Sequence, residues 1–272
     1  MVSPRCAERR DGCGGDARGK RHHASAGGDV RAGRHGARTG AAPAVPVGAR
    51  DASIVAVPPA SPVESSGGSA VLRVYYHPLS TFSQRVRISL LEKDIPAELV
   101  EVDLPGRAQF QPEYLSKNPY GRVPAIDEDG WALYESTAIL EYLEATRPSP
   151  PLLPPDPRGR ARVAMHMKLC DLEFSGPARS ILVPKRFLPK EQWIVEPMEK
   201  ARAKIDKHLS ILETEIQGKE YLAGDRFTLA DVCYAPFLQF LPTLEVTPGP
   251  AIRSWAGRVV ERPSVRETRP AR

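Results

Sequence analysis

From Val71 onward the chain switches between two hydrophobic periods, and the switches outline its elements. Val71 to Tyr76 alternates and is β-rich, which predicts a strand. His77-Pro78-Leu79-Ser80 reads as a loop. Thr81 to Lys93 places Phe82, Val86 and Leu90 on one stripe at four-residue steps, which predicts a helix. Ala97 to Leu104 reads as a second strand. Gln111 to Lys117 reads as a short helix, stopped by Asn118-Pro119. The apolar run Val123 to Ile126 follows with Pro124 inside it. Asp127-Glu128-Asp129-Gly130 then reads as an acidic, solvated hairpin turn, and Trp131 to Tyr134 as the returning strand. Glu135-Ser136 opens a helix with Ile139, Leu140 and Leu143 at helical spacing.

A parallel strand pair joined by a helix, then an antiparallel hairpin and a helix, is the thioredoxin-like order. Beyond it, Arg147 to Pro157 is a linker stiffened by prolines. Everything after the linker reads as helical. Arg158 to Phe174 is one candidate helix. Glu196 to Gln217 carries Met198, Ala201, Ile205, Leu209, Leu212 and Ile216 at three- and four-residue steps, and Gly218 stops it. Thr228-Leu-Ala-Asp231 is a capping box with Asp in the acidic place, and Phe227 before it can act as the hydrophobic staple. Ser254 to Glu261 is a short last helix. The predicted fold class is an α/β thioredoxin-like domain over residues 71–147 and an all-α domain over residues 158–268.

Residues 1–70 differ in kind. They contain no Leu, Phe, Trp or Tyr but hold twelve of the chain's 21 glycines. Such a segment cannot bury enough apolar surface to offset chain entropy, so a disordered tail is expected. It carries ten Lys/Arg against six Asp/Glu, which accounts for most of the formal net charge of +5. The folded part is then close to neutral, and no nucleic-acid partner is expected for it. The acidic residues and the missing apolar stretch argue against a transit or signal peptide. The chain has no apolar run of membrane-spanning length.

The four cysteines, Cys6, Cys13, Cys170 and Cys233, form no CxxC pair. Neither a disulfide framework nor a zinc site is expected, and a reducing cytoplasmic location fits. No metal cofactor is expected; His22-His23 reads as a solvated pair. His77 reads as a turn residue, and His166 and His208 as surface or core-edge residues of helices.

The candidate chemistry gathers around Asn118 to Leu143. A Val-Pro bond between a loop and a hairpin is a candidate cis bond, since X-Pro alone makes cis inexpensive. It would turn the Val123 backbone N–H and C=O outward. The start of the next helix, at Ser136, offers free N–H groups and a dipole that suit a carboxylate. Outward backbone groups beside a carboxylate socket describe a site for a peptide-like ligand. Ser80 lies where the first strand gives way to the first helix. There a hydroxyl serves equally as a helix N-cap or as a donor to a thiolate. Tyr76, Thr81 and Ser83 are rival hydroxyls; Tyr76 also reads simply as a strand residue packing beside Tyr75.

Four stretches of this sequence together resemble the glutathione transferases over residues 71 to about 268. They are Ser80-Thr-Phe-Ser-Gln-Arg85-Val-Arg87, Asn118-Pro-Tyr-Gly-Arg-Val123-Pro124-Ala, Glu135-Ser136, and Tyr221-Leu-Ala-Gly-Asp-Arg-Phe-Thr228-Leu-Ala-Asp231-Val. The resemblance implies glutathione as co-substrate, a cis Val123-Pro124 bond pairing with its cysteinyl backbone, and Glu135 and Ser136 holding its γ-glutamyl end. Arg122 stands where phi-type members often carry Gln; its longer cation either reaches a glutathione carboxylate or is simply solvated. Ser80, five residues before Arg85, matches the nucleophile-stabilising residue of the serine-type classes (zeta, phi and tau). No cysteine lies between His77 and Arg85, which counts against cysteine-type thiol transfer. The implied activity is detoxifying conjugation of glutathione to small apolar electrophiles, seated against Leu79, Phe82 and the first helices of the second domain, in a homodimer. The alternatives are a zeta-like glutathione-dependent isomerase, although the doubled Ser-Ser-Cys of that class is absent, and a non-catalytic scaffold.

Overall fold

The computed structural model describes residues 71–270. The tail expected over residues 1–70, with Cys6, Cys13 and His22-His23, lies outside them. Four strands, β1 (Leu72–Tyr76), β2 (Glu98–Glu101), β3 (Ala125–Glu128) and β4 (Trp131–Tyr134), form one sheet in the order β2-β1-β3-β4. β1 pairs parallel with β2, which requires the crossover helix α1 (Thr81–Glu92). β3 pairs antiparallel with both β1 and β4. The short α2 (Pro112–Leu115) and α3 (Ser136–Thr146) complete a thioredoxin-like domain.

The hairpin sits two residues further along than its composition suggests. Glu128 pairs with Trp131, so the loop is only Asp129-Gly130, both with positive φ (53° and 84°), as a tight hairpin of this hand needs. Asp127 is therefore a strand residue. It is 3% exposed, accepts a hydrogen bond from the Gly130 N–H at 2.9 Å, and pairs with Lys117. The hydrogen bond from the Lys117 ammonium holds its carboxyl below the usual value. Glu128 accepts from the Tyr142 hydroxyl and pairs with Arg147. These carboxylates pin the hairpin rather than solvate a turn.

α1 is buried on two faces. Val86 and Leu90 pack into the sheet core with Leu72, Val74 and Ile126, while Ile88 and Phe82 pack into the helical core. That helical core is built from α4 (Pro157–Leu169), α5 (Gly176–Phe187), α6 (Val195–Glu215), α7 (Leu229–Leu238), α8 (Leu241–Leu244), α9 (Pro250–Val260) and α10 (Pro263–Glu267). Every residue of α7 is buried, and α1 packs directly against it. A helix apolar all round belongs at the centre of a bundle.

α5 is the element that the sequence conceals. The candidate helix over Arg158 to Phe174 does not end there: Cys170–Ser175 forms a π-helical turn that carries the chain from α4 into α5. Pro177 sits in the first turn of α5. His166 and His208 are buried (2% and 4% exposed), not surface residues. His208 Nε2 lies 2.8 Å from the Tyr234 hydroxyl, and burial pushes its pKa down to about 4.

The capping box is present, and its acid does more than cap. Asp231 accepts from the Thr228 N–H (2.9 Å), the Thr228 hydroxyl (3.0 Å), the Leu222 N–H (3.1 Å) and Trp255 Nε1 (2.9 Å). It ties α7, the preceding loop and α9 together. Burial pushes its carboxyl pKa up against these bonds. Asp231→Ala removes a cap and orphans buried donors, so unfolding free energy should fall by about 2–4 kcal/mol. Urea denaturation would measure it. A loss below about 1 kcal/mol would show that the donors find other partners.

Candidate functional site

Register brings three separate segments to one end of the sheet. β1 ends at Tyr76 and leads into His77–Ser80. Tyr75 pairs with Ala125, so the start of antiparallel β3, and with it Val123-Pro124, lies beside the end of β1. Ala125 pairs in turn with Tyr134, so β4 ends there too and delivers Glu135-Ser136. Ser80, Arg122, Val123, Glu135 and Ser136 thus gather at that one end of the sheet.

Ser80 is the N-cap of α1, with φ −83° and ψ 115°. Its Oγ accepts from the Ser83 N–H at 3.1 Å. That bond uses an oxygen lone pair and leaves the hydroxyl hydrogen for another acceptor. The N-cap role and a donor role toward an anion are therefore compatible in one side chain. The loop before it is held by Ser80 N–H to His77 C=O (3.0 Å) and Leu79 N–H to His77 Nδ1 (3.2 Å). Of the rival hydroxyls, Ser83 is fully buried and its Oγ accepts from the His77 N–H at 3.4 Å. The Tyr76 ring lies under the Arg87 guanidinium, 5.0 Å away, on the opposite strand face from Tyr75, which packs edge-on to Tyr114.

The Val123-Pro124 bond is cis. Val123 is half-buried, and no hydrogen bond among the described residues engages its N–H or C=O. The neighbouring Arg122 carbonyl is fixed by the Tyr114 hydroxyl (2.6 Å) and Asn118 Nδ2 (2.8 Å). The Arg122 side chain is exposed and lies over Tyr120 at 6.0 Å. Glu135 is exposed, with φ 72° and ψ 113°, a conformation that costs a non-glycine residue roughly 1–3 kcal/mol. It turns the chain from β4 into the eleven-residue α3, whose first N–H groups have no partner within the helix. Ser136 is buried, and its Oγ accepts from Arg85 Nη1 at 3.2 Å, leaving its hydroxyl hydrogen free.

Arg85 is the residue that sequence reasoning used only as a ruler. It is fully buried and satisfied on every side. Nη1 donates to Asp171 Oδ1 (2.7 Å) and Ser136 Oγ, Nη2 to Ser175 Oγ (2.9 Å) and Cys170 Sγ (3.3 Å), and Nε to the Cys233 carbonyl (3.0 Å). Phe82 and Phe237 flank it at 4.8 and 5.5 Å. Burial opposes its charge; Cys233, Cys170 and Asp171 outweigh burial and hold its pKa above the ordinary value. The guanidinium joins α1, the start of α3, the π-helical turn and α7. No local signal in the sequence set it apart from Arg87 on the same helix.

A cavity of about 500 Å³ opens beside Ser80, lined by Leu79 and Thr81, by Leu182, Val183 and Phe187 of α5, and by Phe240. Phe82 does not line it; that ring turns inward against Phe237, 6.0 Å between centroids. The chain's last described residues, Arg269 and Pro270, form one wall. Gln84 Nε2 holds that wall through the Thr268 hydroxyl at 3.2 Å. A larger cavity, about 1220 Å³, lies between the proline linker and α4, away from this edge, and contains none of the candidate hydroxyls.

Two family models match the chain: "Glutathione S-transferase, N-terminal domain" over residues 74–151 and "Glutathione S-transferase, C-terminal domain" over residues 186–263. Maleylacetoacetate isomerase of Rattus norvegicus is 41% identical over 175 residues, covering 62% of this chain and 76% of the relative. Glutathione S-transferase F6 of Arabidopsis thaliana is 31% identical over 210 residues, 73% of this chain and 99% of the relative. A glutathione transferase from Burkholderia graminis, solved with two glutathione molecules bound per subunit, superposes with a TM-score of 0.65 at 26% identity, covering 73% of this chain and 87% of that one.

Proposed function

Because the chain belongs to the glutathione S-transferase family, we propose that it binds glutathione at the sheet edge and conjugates it to small electrophiles held in the cavity beside Ser80. The observation that carries this reading is the convergence of Ser80, Val123 and Ser136 through strand register. Glutathione's cysteinyl backbone adds to the edge through the Val123 N–H and C=O, as an extended peptide does. Its γ-glutamyl carboxylate meets the α3 N-terminus, where Ser136 donates the hydrogen that Arg85 leaves free. Glu135 faces the γ-glutamyl ammonium, and Arg122 the other carboxylate. Ser80 donates to the thiolate, and the α1 N-terminus adds a favourable field. The thiolate then attacks the electrophile. The same reading makes the protein a cytoplasmic homodimer, with exposed Met165 and Leu172 as apolar side chains to bury.

The test is conjugation of 1-chloro-2,4-dinitrobenzene under varied glutathione. Ser136→Ala should raise KM for glutathione about tenfold with kcat within about twofold, because the lost bond is equal in ground and transition states. An unchanged KM would place the γ-glutamyl end elsewhere. Glutathione binding without any turnover would favour a scaffold.

A second reading is favoured by the 41% identity to maleylacetoacetate isomerase. There the thiolate would add across a cis double bond, allow rotation, and leave again, so glutathione acts as a cofactor. Turnover of a cis-enedione acid without net loss of thiol distinguishes it from conjugation.

A further inference from the structure

The cavity beside Ser80 is not simply apolar. Arg179, Lys185 and Arg186 of α5 line it together with Arg269, and among the described residues no aspartate or glutamate does. Two of these cations are already occupied. Lys185 Nζ pairs with Glu245 at 2.7 Å and donates to the Thr243 carbonyl at 2.8 Å. Arg269 donates to the Val260 carbonyl and lies 3.8 Å from Glu261. Arg179 and Arg186 are different: both are exposed, and neither has a carboxylate within 4.0 Å among the described residues. The rest of the lining is mostly apolar, with Thr81, Gln239 and Thr243 as its uncharged polar members. An apolar wall with two unmatched guanidinium groups suits an amphiphile with an anionic end, since guanidinium matches carboxylate geometry.

We propose that this cavity selects electrophiles bearing a carboxylate, with Arg179 and Arg186 as the specificity-determining side chains. The inference rests on reading the cavity as the electrophile site, and it replaces the purely apolar substrate class expected from the sequence. The carboxylate is a spectator. It seats the molecule while the thiolate reacts at the electrophilic carbon.

A matched pair of probes tests this: 4-chloro-3-nitrobenzoate and its methyl ester. In both, the thiolate sulfur forms a bond to the ring carbon, the carbon–chlorine bond breaks, and chloride leaves with the bonding electrons. Each kcat/KM is divided by the uncatalysed rate with glutathione, which removes the ester's greater intrinsic reactivity. The acid-to-ester ratio should exceed one by about three- to tenfold, the scale of one or two partly exposed charge pairs. It should fall toward one in the double variant Arg179→Gln/Arg186→Gln, and also in wild type as salt rises. Both arginines are exposed, so folding is not at risk. A wild-type ratio at or below one overturns the proposal, as does a ratio that the double variant leaves unchanged. Should neither probe be turned over, the conjugation reading fails separately. Calorimetric titration of the glutathione-loaded protein with the same pair still decides the inference, since ester binding as tightly as acid would sink it.

Discussion

Arg85→Leu is expected to cost about 3 kcal/mol of stability and to weaken glutathione binding at the same time. Removing one partner of a buried ion pair typically costs about 3–5 kcal/mol. The low end applies here, because the Asp171 side chain is 33% exposed and can hydrate once abandoned. Ser175 Oγ also keeps its bond to the Cys170 carbonyl at 2.8 Å. What has no replacement is the hydrogen bond to Ser136 Oγ and the one to the Cys233 carbonyl. Freed from Arg85, the Ser136 hydroxyl can turn its own hydrogen away from the socket. Glutathione affinity should therefore fall about tenfold in titration calorimetry, at temperatures where the variant is still folded. Asp171→Asn keeps an acceptor for Arg85 but not the charge, so it should cost about half as much stability and little affinity. A double-mutant cycle with Ser136→Ala isolates the link: the two affinity losses should be strongly non-additive. Additive losses would mean that Arg85 supports the fold alone and does not position Ser136.

What could be read in advance follows from how each feature is encoded. The sheet and α6 announce themselves, because a half-buried strand repeats every two residues and a helix seam every three or four. The Val-Pro turn, the capping box and Ser80 lie within stretches of a few residues, so local chemistry reveals them. Arg85 and Asp171 are 86 residues apart, and nothing local distinguishes a guanidinium that will be buried from one that will snorkel to water. α5 was hidden for a different reason. Ser-Gly-Pro punctuates most chains, but here the π-helical turn absorbs the extra residue and lets the helix resume. Asp127 shows the third kind of failure. A shift of two positions along the hairpin moves an acidic residue from turn to strand, where Lys117 must balance it. The basic lining of the cavity beside Ser80 depends on α5, so it could not be seen until that helix was.

Ser80→Ala is the variant expected to change the chemistry itself. A free thiol titrates near 8.5, so only a few per cent is thiolate at neutral pH. Lowering that pKa by about two units takes about 2.7 kcal/mol. A hydrogen bond to a charged group supplies roughly 1.5–3 kcal/mol, and the α1 N-terminus adds a few tenths to one more. Ser80 offers its hydrogen because its oxygen already accepts from the Ser83 N–H. Deleting the hydroxyl should raise the pKa of bound glutathione by about one to two units and lower the rate at pH 7 by about ten- to a hundredfold. Much of that rate should return well above pH 9, where the thiolate forms unaided. The cap is lost as well, so about 1 kcal/mol of stability should go with it; that loss is independent of pH in this range and cannot imitate the rate recovery. Tyr76→Phe is the matched control. Its ring packs under Arg87, and removing the hydroxyl should leave the pH–rate profile where it was. An unshifted profile in Ser80→Ala would reduce Ser80 to a helix cap, and a shift in Tyr76→Phe instead would assign the thiolate to the tyrosine.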